Sequence, residues 1–367
     1  MVVVVTLAVS VSSVLAGTAN AASGRPPVKA PLPAFVADIG SPDAQVLLIP
    51  GTGDPTGIDQ VARTYRWWGN RPVQIIDYPA SFGVIVGTKI LNIIGVGTYN
   101  SSELTGEHKA ALAARAALRA GRPVIINGFS QGANVAMNAA YTLTHEGAIA
   151  PGKLTVVLGA DPRFPNTGLD TVAPSLLPGV ATDGPRDPAD LKGTKVISYC
   201  IRGDSVCGLA NPIADPAAAA LYFVPGYYVH AFIYPQVGKF KQVKNWRDGD
   251  TRYYVYDGGN PLGIMLRDLG VPVGKNFDDA VSKAVPVPMP GDVATNNGKP
   301  VPTPRMLQEQ LYRRLGLQLP LTDPDSIARS RRQVRPVRMA PPTRTPGKRA
   351  AVERLRVTTP SMRVGVR

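Results

Sequence analysis

The sequence predicts an α/β fold in which helices cover both faces of a central, mostly parallel β-sheet. Short continuous apolar runs alternate along the chain with longer Ala-rich stretches, which is the pattern of buried parallel strands and their covering helices. The chain has 367 residues, of which 44% are hydrophobic and 18% charged. This composition allows a large core and excludes wholesale disorder.

Five apolar runs predict strands of this sheet. They cover residues 44–51, 72–80, 122–130, 153–161 and 195–200. Two Ala-rich stretches, residues 105–121 and 131–147, predict helices because each closes on a glycine. After Gly238 the pattern weakens. A strand and turn are expected from Thr251, a short helix from Met265 and an amphipathic helix over residues 305–319.

The N-terminal segment resembles a secretion signal over residues 1–21. An apolar run from Val2 to Ala16 leads into an A-x-A cleavage pattern that ends at Ala21. The run is too short for a membrane span, which needs about 20 apolar residues. We therefore expect a cleaved, exported chain, with an uncleaved anchor as the alternative. Residues 22–42, rich in Pro, Ala and Gly, are expected to form a linker.

The positive charge of the chain is concentrated at one end. The formal net charge is +14, and the residues from Arg329 to Arg367 hold 12 of the 40 basic residues but one of the 26 acids. We expect a domain over residues 43–320, with its core at 45–275, followed by a basic disordered tail over 321–367. The near-neutral body disfavours a nucleic-acid partner. The tail offers peripheral attachment to an anionic membrane or cell envelope.

The clearest chemical signal is residues 128–132, GFSQG, which match the pattern G-x-S-x-G. The motif lies between a predicted buried strand and a predicted helix, which is the context of a nucleophile elbow. Ser130 would then project at a helix N-terminus, where the helix dipole and unpaired N–H groups favour developing negative charge. We predict that Ser130 is a nucleophile. A serine N-cap in a Gly-rich turn is the alternative.

A serine nucleophile needs a base, and the chain contains three histidines. His145 lies 15 residues along the nucleophile helix, about 22 Å from the serine. His108 precedes Ser130, against the chain order of nucleophile, acid and histidine. We therefore predict His230 as the base.

Two aspartates follow strand ends between the nucleophile and the base. Asp161 begins a turn, whereas Asp204 lies in the loop between Cys200 and Cys207. In an exported chain this cysteine pair favours a local disulfide, which would hold the aspartate rigidly; two unrelated buried thiols are the alternative. We predict Asp204 as the acid that orients the histidine.

The oxyanion hole needs two donors. One is expected from the backbone N–H of Gln131, the residue after the nucleophile. Thr52, in the Gly-rich loop at residues 50–55, is the candidate for the second, although an ordinary turn would have the same composition. No metal site or cofactor is expected, because the histidines are scattered and the cysteines number two.

These motifs carry a family resemblance. The elbow, the Cys-bracketed Asp204 and the downstream His230 resemble the cutinase group of serine hydrolases, in which the acid lies between two disulfide-bonded cysteines. A longer span, residues 45–275, resembles the PE-PPE hydrolase domain of actinobacterial envelope proteins. That likeness rests on residues 51–57, 77–83, 249–254 and 260–263 as well as the elbow. The resemblance implies an α/β-hydrolase fold and esterase-type acyl transfer.

The expected function is therefore that of an exported serine esterase acting on acyl esters of a lipid or glycolipid. Some proteins of the resembled family move acyl chains between trehalose-type envelope glycolipids, so an acyltransferase that uses the same three residues is the alternative. A non-catalytic envelope-binding protein on a hydrolase scaffold is a third reading, which the complete candidate triad disfavours. The expected location is secreted or envelope-associated.

Overall fold

The computed structural model describes residues 29–147, 149–187, 191–322, 324, 326 and 327. The predicted leader at residues 1–21 and nearly all of the predicted tail lie outside these ranges. Within the described ranges, no helix combines the length and apolar character needed to cross a membrane.

The described chain alternates strands and helices. The strands are β1 (Gln45–Ile49), β2 (Val73–Ile75), β3 (Phe82–Val86), β4 (Lys89–Ile94), β5 (Val124–Phe129), β6 (Leu154–Gly159), β7 (Lys195–Ile201), β8 (Lys241–Asp248), β9 (Thr251–Asp257), β10 (Thr295–Asn296) and β11 (Lys299–Pro300). The helices are α1 (Ile58–Arg63), α2 (Tyr99–Arg119), α3 (Gln131–Glu146), α4 (Leu169–Val172), α5 (Pro216–Leu221), α6 (Phe223–Phe232), α7 (Pro261–Asp268), α8 (Lys275–Ala284) and α9 (Pro304–Arg314). Two 3-10 helices are Ala34–Asp38 and Tyr234–Lys239.

A seven-stranded sheet in the order β2-β1-β5-β6-β7-β9-β8 forms the centre of the molecule. All its neighbouring strands are parallel except β8, which pairs antiparallel with β9 at one edge. The chain turns in opposite directions from β1 and β5, so a crevice opens at the carboxyl ends of these strands. The GFSQG motif spans the carboxyl end of β5 and the start of α3, and therefore lies at that crevice. This is the mostly parallel sheet of the α/β-hydrolase fold.

Helices α2 and α3 cover one face of the sheet with small side chains. Ala110 and Ala114 of α2, and Ala136 and Ala140 of α3, are fully buried. A Cβ on Gly106 of α2 would come within 2.9 Å of side-chain atoms of both Tyr78 and Val135. This alanine-rich contact brings both helices close to the sheet and holds α3 firmly behind the elbow.

An aromatic cluster covers the opposite face. Phe35 lies in the 3-10 helix Ala34–Asp38 and is 1% exposed. Its ring lies 5.3 Å from that of Trp67 and 5.0 Å from that of Tyr199.

The described part of the predicted 22–42 linker is therefore not a free connection, because Phe35 and Ile39 are buried in the core.

Several element boundaries differ from the predicted ones for local reasons. Helix α2 begins at Tyr99 rather than near Thr105, because Thr98 caps it by accepting a hydrogen bond from the backbone N–H of Ser101. Strand β2 is short and exposed at the sheet edge. Strand β8 is polar and partly exposed, so no apolar run marked it.

The described residues at the start of the predicted tail contact the body of the protein. Thr322 donates from both its backbone N–H and its hydroxyl to the carboxylate of Asp183. Ser326 is 4% exposed and accepts a hydrogen bond from Arg163. The first described residues of the predicted tail thus pack on the body.

Candidate active site

Ser130 occupies a strained turn between β5 and α3. Its backbone has φ +56° and ψ −124°, a region that residues other than glycine rarely adopt. The Ser130 N–H donates to the carbonyl of Gly159 at 3.0 Å, which ties the turn to β6. The serine side chain therefore points away from the sheet at the N-terminus of α3.

The glycines of GFSQG are required by backbone contacts. A Cβ on Gly128 would overlap the carbonyl group of Gly132. A Cβ on Gly132 would overlap the carbonyl oxygens of Ile49 and Pro50 at the end of β1. Any side chain at either position would force strand and helix apart, which explains the spacing on which the sequence prediction rests.

The structure brings the three predicted triad residues into one hydrogen-bonded line. Nε2 of His230 lies 2.9 Å from Oγ of Ser130, and Nδ1 of His230 lies 3.1 Å from Oδ2 of Asp204. His230 is 6% exposed and Asp204 is fully buried. This order of atoms suits transfer of a proton from the serine to an imidazole that the carboxylate orients.

His230 is positioned by a close helix-to-loop contact. It lies in α6, a helix that was not predicted from the sequence. One turn earlier, a Cβ on Gly226 would overlap the carbonyl oxygen of Gly203 and lie 2.8 Å from the N of Ser205. The absence of a side chain at Gly226 lets α6 lie directly on the loop that carries Asp204.

Asp204 is held by the loop that surrounds it. Cys200 and Cys207 are joined by a disulfide with a Cα–Cα distance of 5.9 Å. The backbone N–H of Val206 donates to Oδ1 of Asp204 at 2.6 Å. The carboxylate is therefore fixed from within its own short loop.

Tyr234 contributes a contact that the sequence prediction missed. Its hydroxyl donates to Oδ2 of Asp204 at 2.5 Å, the same oxygen that faces His230. Burial, together with the charge of Asp204, raises the pKa of Tyr234 well above its usual value, so the hydroxyl stays a donor. The available sequence signal was its spacing, one helical turn after His230.

The alternatives weighed from sequence lie in other environments. Asp161 accepts from Arg186 and from the backbone N–H of Arg163, and it makes no described contact with His230. His145 stacks on Tyr141 at the far end of α3. Geometry therefore favours Asp204 and His230 over both.

The side chain of Gln131 ties the surrounding loops to the elbow. Its amide nitrogen donates to the carbonyls of Ser81, at 3.1 Å, and Tyr99, at 3.4 Å. Its amide oxygen accepts from the hydroxyl of Thr52 at 3.3 Å. Of the two predicted oxyanion-hole residues, Gln131 thus follows Ser130 in the chain and Thr52 contacts the Gln131 side chain. Since Gln131 begins α3, its own N–H has no partner within the helix.

Buried carboxyl groups lie one turn beyond the nucleophile. Asn134 of α3 donates to both Glu103 of α2 and Asp170 of α4, each at 3.0 Å. Burial, reinforced by Asp170 and Asp183, raises the pKa of Glu103 well above its usual value. Burial likewise raises the pKa of Asp170 to about 6. Among the described residues, no cluster of three His, Cys, Asp or Glu side chains has the arrangement of a metal site.

Comparison with solved structures finds distant similarities. A cutinase-like protein from Cryptococcus sp. shares 17% identity, with a TM-score of 0.28, over 53% of this chain and 94% of its own. A protein from Thermus thermophilus shares 14% identity, with a TM-score of 0.31, over 64% and 91%. RedJ, solved with a polyethylene glycol molecule bound in its active site, shares 15% identity, with a TM-score of 0.28, over 71% and 97%.

The family comparison is more informative. No curated protein matches the sequence significantly. The sequence profile of the PE-PPE domain matches residues 70–287, which is more than half of the chain. That span contains the elbow, the Cys-bracketed loop and His230. The chain therefore belongs to the PE-PPE domain family, and membership supports a hydrolase of the lipase or esterase type.

Proposed function

We propose that this protein is an exported serine esterase that cleaves acyl esters of a lipid or glycolipid through an acyl-enzyme. The observation that carries the proposal is the hydrogen-bonded line from Ser130 through His230 to Asp204 at a strained strand-to-helix turn. The strand, turn and helix around Ser130 agree with the sequence signature of a nucleophile elbow. Family membership supports the reaction class.

In the first half-reaction, Oγ of Ser130 forms a bond to the ester carbonyl carbon while Nε2 of His230 takes the serine proton. The carbonyl π electrons move to oxygen, which becomes an oxyanion. We assign its stabilisation to the N–H of Gln131 and a donor from Thr52, at the positive end of α3. The intermediate then collapses. The C–O bond to the alcohol breaks, and His230 returns the proton to the departing alcohol.

In the second half-reaction, an acceptor hydroxyl attacks the acyl-enzyme by the same steps in reverse. Water as acceptor yields a free fatty acid, whereas a sugar hydroxyl yields a transferred acyl chain. We propose hydrolysis as the main reaction. Transfer between glycolipids is the alternative, and it would use the same triad. The two activities differ in whether water is excluded from the acyl-enzyme.

Export and domain extent belong to the same proposal. The disulfide between Cys200 and Cys207 fits an oxidising compartment, in agreement with the signal-like residues 1–21. We propose a catalytic domain over residues 43–320, to which residues 29–42, Thr322 and Ser326 add packing. The basic residues beyond Arg329 would associate with an anionic envelope surface.

The decisive test is covalent labelling of Ser130 with a fluorophosphonate, read by peptide mass spectrometry, together with turnover of a soluble p-nitrophenyl ester. Ser130→Ala should lose labelling and lower kcat by at least about 10⁴-fold. Ser282→Ala, on α8 outside the site, is the matched control and should keep both activities.

Labelling at another residue, or ester turnover retained by Ser130→Ala, would overturn the proposal. Incubation with a long-chain glycolipid, with and without an acceptor glycolipid, then separates the two second half-reactions. Mass analysis shows free fatty acid if water is the acceptor and an acylated acceptor if the chain is transferred.

A further inference from the structure

A projecting β-hairpin exposes apolar side chains beside the candidate active site. Strands β3 and β4 pair with each other but not with the central sheet. The exposed apolar side chains at the hairpin and on the adjoining loop form what we call the apolar rim. They are Ile85, Val86, Ile90, Leu91, Leu176 and Leu177, each at least 40% exposed. Such clustering marks a site of interaction rather than chance exposure.

Neither face of the hairpin tip is covered by the described chain. Ile90 and Leu91 are neighbours in β4, so their side chains point to opposite faces of the hairpin. They are 50% and 53% exposed. The loop on one side is attached at its base, where the N–H of Ile85 donates to the carbonyl of Pro178 at 2.7 Å. The tip extends beyond this contact into solvent.

Both ends of the hairpin are fastened to the elbow. The side chain of Gln131 binds the carbonyl of Ser81 just before β3 and that of Tyr99 just after the hairpin. At the end of β4, a methyl group of Ile94 lies 3.6 Å from a Cβ built on Gly53, next to Thr52. A five-residue strand spans about 17 Å. The base of the hairpin therefore lies at the elbow, and its tip lies within about one strand length of that base.

The charge pattern indicates a lipid layer as the occupant of this surface. From Ser81 to Gly97 the chain contains no acidic residue and one basic residue, Lys89. Lys89 pairs with Val86 at the closing turn of the hairpin. An apolar ribbon without carboxylates can enter an acyl layer without desolvating an anion. A lysine at its tip can pair with headgroup phosphates while its alkyl stem stays in apolar surroundings.

We propose that the apolar rim docks the protein onto the surface of a lipid layer and so presents embedded esters to Ser130. This inference rests on the proposed esterase function, because a lipid ester is what the elbow would receive there. Docking is nevertheless a binding event that does not require the reaction. It can therefore be measured on an inactive chain.

The test is flotation of the full chain with phosphatidylcholine vesicles in 0.5 M NaCl, which screens attraction through the basic tail. All forms carry Ser130→Ala, so hydrolysis does not alter the vesicles. Adding Leu91→Ser should lower the vesicle partition coefficient several-fold, and Val86→Ser with Leu91→Ser by at least about tenfold.

The matched control is Leu112→Ser, at a site 49% exposed on α2. It lies about 20 Å along that helix from the hairpin end, so binding should not change. In chains with Ser130 intact, Leu91→Ser should keep turnover of a soluble ester and lose turnover of a vesicle-embedded long-chain ester. Thermal melts of all variants should coincide, since each replaced side chain is exposed.

Equal vesicle binding by the hairpin variants and the Leu112→Ser control would overturn the proposal. So would light scattering that shows a dimer which Leu91→Ser converts to a monomer, because the rim would then bind a second copy. Failure of Ser130 labelling is a separate result that affects the esterase function and leaves the flotation outcome readable.

Discussion

At the residue scale, the environment of Asp204 determines how the candidate triad is held. Its Oδ1 accepts from a backbone N–H, and its Oδ2 accepts from Tyr234 as well as facing His230. Donors to both oxygens hold a buried carboxylate in one direction. The orientation of the imidazole therefore depends on the tyrosine hydroxyl as well as on the disulfide-closed loop.

We expect Tyr234→Phe to lower kcat for a soluble ester about tenfold while KM stays nearly constant, because a hydrogen bond to a charged group is lost. Steady-state kinetics measure both constants.

Tyr256→Phe is the matched control. The hydroxyl of Tyr256 is buried and makes no hydrogen bond with the described residues. Its removal should leave the kinetics unchanged. A Tyr234→Phe enzyme with the kcat of the control would show that the tyrosine hydroxyl does not position the acid.

At the element scale, the site depends on the contact between α6 and the Asp204 loop. Gly226→Ala would place a methyl group against the carbonyl oxygen of Gly203, so α6 must move and take His230 with it. A displacement near 1 Å lowers turnover about 100-fold. We expect that loss in kcat for a soluble ester.

Gly274→Ala serves as the control for a glycine replacement near a helix, because a Cβ there meets nothing within 4 Å. It should leave kcat unchanged. If Gly226→Ala retained full kcat with an unchanged melting temperature, α6 would not be placed by this contact.

A second prediction at this scale concerns the junction of α2, α3 and α4. The pKa of Asp170 is raised to about 6 by burial, against about 4 in an unfolded chain. Between these values the folded state binds more protons, so the free energy of unfolding falls as pH rises from about 4 to about 6. Asp170→Asn should make this decline shallower and stabilise the protein at pH 7 by up to about 3 kcal/mol.

Urea unfolding at several pH values between 4 and 8 measures this effect. Asp77→Asn, at a carboxylate that is 90% exposed, is the control and should leave the pH dependence as it is. An Asp170→Asn protein that is less stable than the parent at pH 7 would contradict the assignment of a destabilising buried charge.

At the scale of the whole molecule, residues just beyond the predicted domain end contribute to stability. Thr322 and Ser326 supply hydrogen bonds around Asp183 and Arg163, which are buried. A chain that ends at residue 320 should unfold at lower urea concentration than one that ends at 327. We expect a difference of about 1–3 kcal/mol, because buried polar groups lose partners.

The chain that ends at 327 should match the full chain both in stability and in turnover of a soluble ester. That comparison separates packing of residues 321–327 from the electrostatic role of the basic residues beyond Arg329. If the chain that ends at residue 327 lost much of its soluble-ester turnover, the basic tail would contribute to the site.

The sequence by itself determined the elbow and the class of sheet, because their physical causes are local. Gly128 avoids backbone overlap with Gly132 inside the motif itself, and most of the parallel strands are short, largely apolar runs. The order of nucleophile, acid and histidine could also be predicted, since the chain has few histidines.

Only the tertiary structure shows that Asp204, and not Asp161, faces His230, and only it revealed Tyr234, the anchoring role of Gln131 and the burial of Phe35. The physical reason is distance along the chain. Hydrogen bonds and aromatic contacts between residues far apart in sequence leave no local pattern, because any element with a suitable side chain can supply the partner. The apolar rim likewise combines residues that are far apart in sequence. No strand was predicted from the sequence over residues 82–94, and only the fold shows a hairpin there, outside the central sheet.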